Sequence, residues 1–509
     1  MDESLPDDPA RIREMGNRFL DTLLSYWGSL GDNPVHPQAE PGDFEPLSRG
    51  AFPETGAGLD ELLGEVERVV MPGLTRVASP RYLGMMNPPP ALPAIFADML
   101  AAAFNQNCSL WNQSPAGVEV ELAVVDELCR LAGLPSRTAF GILVSGGSTA
   151  NIMALKLARA RAMGKQVAED GLWGLEYPVA VYASEEVHYS FEKGMDFLGM
   201  GTRFLRLAPV DDRYRVDPEA LRRLMESDCA QGIVPGCVVG IAGSTNTGSI
   251  DPLDPLADIA AEFGAWFHVD AAYGGAALLA PGVRGRFDGI GRADSVTLDP
   301  HKWFFVPFEC AAFLVRSGED LRSGFATKPH YYMEQKREDG RHTDFYEYGL
   351  QGSRNFKALK LWMTLRFLGR RYYAEVVSRN LRFARRLADA LRKDPVMQLF
   401  HDPDLGIVCF RARPASIKND EEALDDFNRR IHERIDREGR FWISRTRLGG
   451  RALALRVNFQ NYRTRAEDVE ELLAYLARLV REESDRGSGD GAAGRPEAGA
   501  GSRGETQAG

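Results

Sequence analysis

The chain has 509 residues, 44% hydrophobic and 26% charged, with a formal net charge of −11 at neutral pH. This is ordinary globular composition at a length that allows more than one compact unit. The acid excess and the lack of any basic block exclude the footprint of a nucleic-acid binder. Apolar runs well short of the roughly 20 residues that span a bilayer exclude a membrane span, which leaves a small molecule as the expected partner.

In chain order, the opening stretch MDESLPDDPARIREMG carries no basic region followed by an apolar one, so a soluble, cytoplasmic protein is expected. The first hundred residues hold amphipathic pieces and the proline-rich MMNPPPALP, Met85 to Pro93, and read as an arm or helical cap with no core of its own. Short strand candidates then alternate with helical segments: GILVS (141–145), VAVYAS (179–184), CVVGIAGS (237–244), WFHVDAAY (266–273) and SVTLD (295–299). Such alternation predicts an α/β unit with a mostly parallel sheet wrapped by helices. Ala326 to Gly349 is a long polar stretch rich in charge and tyrosine, of the kind that forms lids or stays disordered. Leu453, Leu455, Val457 and Phe459 alternate as in a strand. After them Thr464 and Glu467 read as a capping box for a closing helix with Val469, Leu472, Leu473, Leu476 and Val480 on one face. The C-terminal part is therefore a small α+β unit. From Arg486 the sequence is Gly, Ala and polar residues, a composition that cannot bury enough surface to fold.

The six cysteines form no CxxC pair and no zinc-ligand spacing with histidine, so no metal is expected. They read as reduced thiols, with Cys310 a small buried hydrophobe near a lysine that raises its own question. In DSVTLDPHKWFFVP that lysine, Lys302, follows a strand and precedes an aromatic run.

In parallel α/β sheets ligands gather beyond the carboxyl ends of the strands. GILVS runs into GGSTANIMALKLAR, where Gly147 and Ser148 open a helix whose free N–H groups and hydroxyls suit a phosphate. VAVYAS leads to EEVHYSFEKG and puts His188 at a helix start, as a cap or as a ligand contact. WFHVDAAYGG ends an apolar strand on Asp270, which either caps the next turn or faces a ligand cation, because an unpaired carboxylate there is costly. SVTLD delivers His301 and Lys302 to the same edge. A phosphate cradle, an imidazole, a carboxylate and an amine in that order are what pyridoxal 5'-phosphate requires.

GGSTAN, EEVHYSFEKG, HVDAAYGG and DPHKW, in this order, resemble the group II pyridoxal-phosphate-dependent amino-acid decarboxylases, which include aromatic-amino-acid, glutamate, cysteine-sulfinate and diaminobutyrate decarboxylases. The resemblance runs from SPRYLGMMNPPP at Ser79 to the closing helix. It implies the type I fold of the pyridoxal-phosphate-dependent transferases, aspartate aminotransferase-like. The expected layout is an N-terminal helical arm and dimerisation segment (1–95), a large cofactor-binding domain (96–365), a small C-terminal domain (366–485) and a disordered tail (486–509). Lys302 then corresponds to the lysine bonded to the cofactor aldehyde, Asp270 to the partner of the pyridine nitrogen and His188 to the stacking imidazole. Gly147, Ser148 and His301 fall around the phosphate and Thr245 near the ring. Tyr331, with Tyr332 beside it, corresponds to a loop tyrosine that protonates the substrate carbon, and Arg354 to an arginine that orients a carboxylate. Tyr82, Asn105 and Trp111 fall on substrate-side segments. Trp303 and Phe304 are expected to pack beneath the site and keep Lys302 dry. The implied enzyme is a homodimer with a composite active site that removes the α-carboxylate of an L-amino acid. The alternatives are a carbon–carbon lyase, an aldehyde-forming decarboxylase-oxidase and a catalytically silent scaffold.

Overall fold

The computed structural model describes residues 8–49, 54–164, 166–172, 177–327, 330, 342–450 and 452–490. Its centre is a seven-stranded sheet of β1 (Phe140–Val144), β2 (Val179–Ser184), β3 (Leu205–Ala208), β4 (Val234–Ile241), β5 (Trp266–Asp270), β6 (Ser295–Leu298) and β7 (Ala311–Val315). The spatial order is β1-β7-β6-β5-β4-β2-β3. β3, β2, β4, β5 and β6 pair in parallel, while β7 runs antiparallel to both β1 and β6. The sheet is thus mostly parallel, as the alternation predicts.

The strands are near-continuous apolar runs because helices cover both faces. Every residue of β2, β5, β6 and β7 is buried. Behind β5 the chain passes so close to β4 that a Cβ at Gly274 would lie 2.2 Å from the Ala242 carbonyl oxygen. The glycines of DAAYGG are therefore a packing requirement at the edge where Asp270 emerges.

A helix from Ala358 to Lys393, broken at Gly369 where φ is 72°, leads to a second sheet. This antiparallel sheet contains β8 (Met397–Leu399), β9 (Ile407–Ala412), β10 (Ser444–Leu448) and β11 (Ala452–Asn458), in the order β10-β11-β9-β8. Helices Glu421–Glu438 and Ala466–Asp490 pack on it through Ile431, Ile435, Leu472 and Leu476, all buried. The expected capping box is replaced by other contacts. Thr464 donates instead to the Pro80 carbonyl at 2.7 Å, and Asp468 accepts the Arg465 N–H at 2.9 Å. The closing helix continues to Asp490, past the point at Arg486 where a tail was expected, and 491–509 lie outside the described residues.

The N-terminal helix Pro9–Gly28 is capped by Asp8, which accepts the Ala10 N–H at 2.9 Å. It buries none of its residues, and Ile12, Phe19 and Leu24 are 55%, 54% and 60% exposed. The segment that follows is not a free arm. Leu83 N–H donates to the Trp442 carbonyl, Asn458 N–H to that of Leu83, and Ala91 N–H to that of Phe305, each at 2.7 or 2.8 Å.

Candidate active site

β6 ends at Leu298 and the chain turns at once, with the Lys302 N–H donating to the Asp299 carbonyl at 2.9 Å. The turn points the Lys302 amine into a pocket at the carboxyl ends of β1, β4, β5 and β6, where it meets the Asp299 carboxylate at 3.0 Å. Trp303 and Phe304 face away into the core, fully buried, and Trp303 stacks on Tyr273 at 5.1 Å. The aromatic run therefore anchors the turn. The partner that sequence reasoning missed is Asp299, whose second oxygen, Oδ1, is buried without a hydrogen bond. Burial pushes the Asp299 carboxyl up, and Lys302 draws it back down.

At one end of the pocket the helix Gly147–Met163 begins. Gly147 leaves open a space in which a Cβ would lie 2.9 Å from Asp299 Oδ2. Ser148, Thr245 and His301 line the pocket as well. His301 Nδ1 accepts the Cys310 N–H at 3.1 Å, so the neutral ring carries its proton on Nε2. Burial first, and then Lys302, push its pKa down to about 3.

At another wall stands Asp270. Oδ1 accepts the Ala272 N–H at 3.0 Å and caps the turn, while Oδ2 accepts from Asn151 at 2.8 Å beside the pocket. Both donors suit an acceptor-only carboxylate anion. His188 stands beside the same pocket. It caps the helix Ser190–Phe197, with Nδ1 accepting the Ser190 N–H at 3.3 Å, and its ring lines the pocket. Burial pushes this imidazole down from its ordinary value.

A further wall is held from the second sheet. Asn246, next to Thr245, donates to Glu186 at 3.0 Å and accepts from Thr446 of β10 at 2.9 Å. Its carbonyl accepts from Arg456 of β11 at 3.0 Å and from the Cys409 thiol of β9 at 3.3 Å, and Arg456 also reaches the Thr245 carbonyl at 2.9 Å.

The substrate-side candidates lie elsewhere. Tyr82 is buried, donates to Asn87 and stacks on Trp442 at 5.0 Å. Asn105 is an exposed helix C-cap with φ 46°, and Trp111 donates from Nε1 to Glu119 at 3.0 Å. Arg354 was expected to orient a substrate carboxylate. It is instead buried against Glu121 and the Leu143 carbonyl, because that carboxylate inside the core needs a partner. None of these four lines the pocket around Lys302. Tyr331 and Tyr332 lie outside the described residues. Among the described residues no group of three or more His, Cys, Asp and Glu is arranged to hold a metal ion.

Pyridoxal phosphate fits this donor set. Glycine backbone, hydroxyls and the His301 N–H suit the phosphate, an amine suits the aldehyde, and Asp270 suits a protonated ring nitrogen. An α/β protein with that combination is a pyridoxal-phosphate enzyme of the aspartate aminotransferase-like fold. Comparison with known proteins narrows the class. The model of the pyridoxal-dependent decarboxylase conserved domain matches residues 41–413. Tryptophan decarboxylase 1 of Oryza sativa subsp. japonica is 31% identical over 86% of this chain and 88% of its own. Phenylacetaldehyde synthase of Arabidopsis thaliana is 28% identical over 88% and 91%. A crystal structure of Oryza sativa TDC with PLP and tryptamine superposes with a TM-score of 0.88 at 30% identity, covering 94% of this chain and 99% of that one. The chain belongs to the pyridoxal-dependent decarboxylase family, and is a pyridoxal-phosphate-dependent carboxy-lyase.

Proposed function

We propose that the enzyme removes the α-carboxylate of an L-amino acid with an aromatic side chain and releases the amine and carbon dioxide. The observation that carries this reading is the meeting of Lys302, Asp270 and His188 around one pocket next to an open helix N-terminus. The aromatic class is drawn from relatives named for tryptophan decarboxylation.

Pyridoxal phosphate, when bound, supplies an electrophilic aldehyde and an electron-accepting ring. In this reading Lys302 would hold the cofactor through its aldehyde, the amine kept at the pocket by Asp299. Asp270 keeps a proton on the ring nitrogen, and its two fixed donors hold it in place before reaction begins. His188, neutral through burial, covers the ring face without adding charge. Gly147, Ser148 and the His301 N–H bind the phosphate end, and Thr245 lies near the ring. Tyr331 is the proposed proton donor to the substrate carbon. The exposed apolar side chains of Ile12, Phe19 and Leu24 support a homodimer in which a second copy covers this helix and completes the substrate side of the site. The proposed location is cytoplasmic.

The test is to incubate the purified protein and cofactor with aromatic, acidic and basic L-amino acids, assaying carbon dioxide and amine separately. Carbon dioxide and amine in equal amounts from an aromatic substrate are expected. No carbon dioxide from any substrate overturns the reading. Carbon dioxide accompanied by aldehyde in place of amine moves the enzyme to the chemistry for which its Arabidopsis relative is named.

A further inference from the structure

Behind Asp270, its donor Asn151 leads into a chain of buried polar groups that the reading above does not use. Asn151, on the helix that starts at Gly147, has four partners. Its Nδ2 is 2.8 Å from Asp270 Oδ2 and 3.1 Å from Ser190 Oγ, and its Oδ1 is 2.8 Å from Thr297 Oγ1 and 3.1 Å from His268 Nε2. His268 Nδ1 is 2.8 Å from Ser295 Oγ, which accepts from Trp266 Nε1 at 2.8 Å. Asn151, His268, Thr297 and Ser295 are at most 1% exposed, so water does not compete for these bonds.

Elementary donor counting fixes the direction of every bond. The Asp270 carboxylate only accepts, so Asn151 must present its NH2 group there and turn its carbonyl to His268 and Thr297. His268 Nε2 must then carry the proton. Its Nδ1 accepts the Ser295 O–H, and the Ser295 lone pair takes the indole N–H, which can only donate. Burial pushes His268 down to about 4, so the ring is neutral and this single tautomer persists near neutral pH. On the other branch Ser190 accepts from Asn151 and donates its O–H to His188 Nδ1 at 2.8 Å. The donors run one way, from Trp266 towards the pocket.

We propose that Asn151 is a positioning residue whose amide, locked by His268 and Thr297, aligns both Asp270 and the Ser190–His188 pair, and so couples the grip on the cofactor ring's edge to the grip on its face. The inference rests on the proposed roles of Asp270 and His188. It makes the asparagine of GGSTAN and the histidine of HVDAAY parts of one device, although 117 residues separate them.

Three full-length variants test it, each measured for pyridoxal phosphate Kd on the apoenzyme, for kcat and KM with an aromatic substrate, and for thermal midpoint. Asn151→Asp keeps the shape but sets an acceptor against Asp270. It is expected to weaken cofactor binding and lower kcat by about tenfold or more, as loss of a hydrogen bond to a charged group implies, with KM within about threefold. His268→Leu removes the donor that holds the amide and should change both quantities in the same direction. His268→Gln, whose amide N–H takes the place of Nε2–H, should return both to within about threefold of the parent. Equal losses in the Leu and Gln variants, or cofactor binding by Asn151→Asp as tight as in the parent, overturn the proposal. If Asn151→Asp does not fold, the His268 pair decides. Failure of the parent to release carbon dioxide overturns the decarboxylase reading alone, because the comparison of cofactor affinities stands without it.

Discussion

Arg354 and Glu121 illustrate how a single residue's surroundings decide its role. Both are almost fully buried, and Glu121 also accepts the Leu143 N–H at 2.9 Å, tying the pair to β1. Arg354→Met leaves that carboxylate alone in the core and should cost about 3–5 kcal/mol of folding stability, read from denaturant midpoints. Lys302→Ala should abolish both turnover and the visible absorbance of bound cofactor while the fold persists, and surviving activity would show that another amine is used. Histidines give a pH signature. His268 and His301 sit at about 4 and 3 in the fold against an ordinary 6.5, so the unfolded chain binds more protons below 6.5. Folding stability should therefore fall as pH drops from about 6.5 towards 4, and His268→Gln should flatten part of that slope in pH-dependent melting curves. That Lys302, Asp270, His188, Gly147, Ser148 and His301 share one pocket was legible in the sequence because each stands at or just past a strand end. Asp299 and Asn151 were passed over although both lie inside quoted motifs. Their importance depends on what faces them across the sheet edge, and linear order does not contain that.

At the level of elements, the start of the helix Gly147–Met163 and the end of β6 approach to the limit that glycine allows. Gly147→Ala should press on the Asp299 carboxylate and narrow the space above the helix start. Cofactor titration should show weaker binding while the substrate KM in saturating cofactor changes little. The five quoted strands all formed, within a few residues of their expected limits, because apolar runs bounded by turn residues specify buried strands well. Two strands of the central sheet escaped. β3 is short and half-buried with Arg206 in its middle, so neither alternation nor a continuous apolar run marks it. β7 is apolar enough, but its reversed direction follows from a connection without a helix between Leu298 and Ala311. The closing helix was recognised from its apolar face, while at its start it is Asp468 that accepts a backbone N–H, and the Thr464 hydroxyl donates to the carbonyl of Pro80, far away in sequence.

Taken as a whole, the described chain leaves one helix without an inner face. With Ile12, Phe19 and Leu24 in water, Phe19→Asp combined with Leu24→Asp should shift the proposed homodimer to monomers in light-scattering chromatography and lower activity with it. Unchanged mass would place the dimer contact elsewhere. No helix among the described residues is long and apolar enough to cross a membrane. The wall around Asn246 has a consequence for how the molecule comes apart. Side chains from β9, β10 and β11 all end on that one asparagine, and Thr245 is held by the same arginine. Melting of the C-terminal sheet ahead of the central one would thus strip the mooring from Thr245, which lines the cofactor pocket. The enzyme's own colour becomes a reporter on a distant part of its chain, and fading on gentle heating should run parallel to proteolytic nicking between Met397 and Asn458.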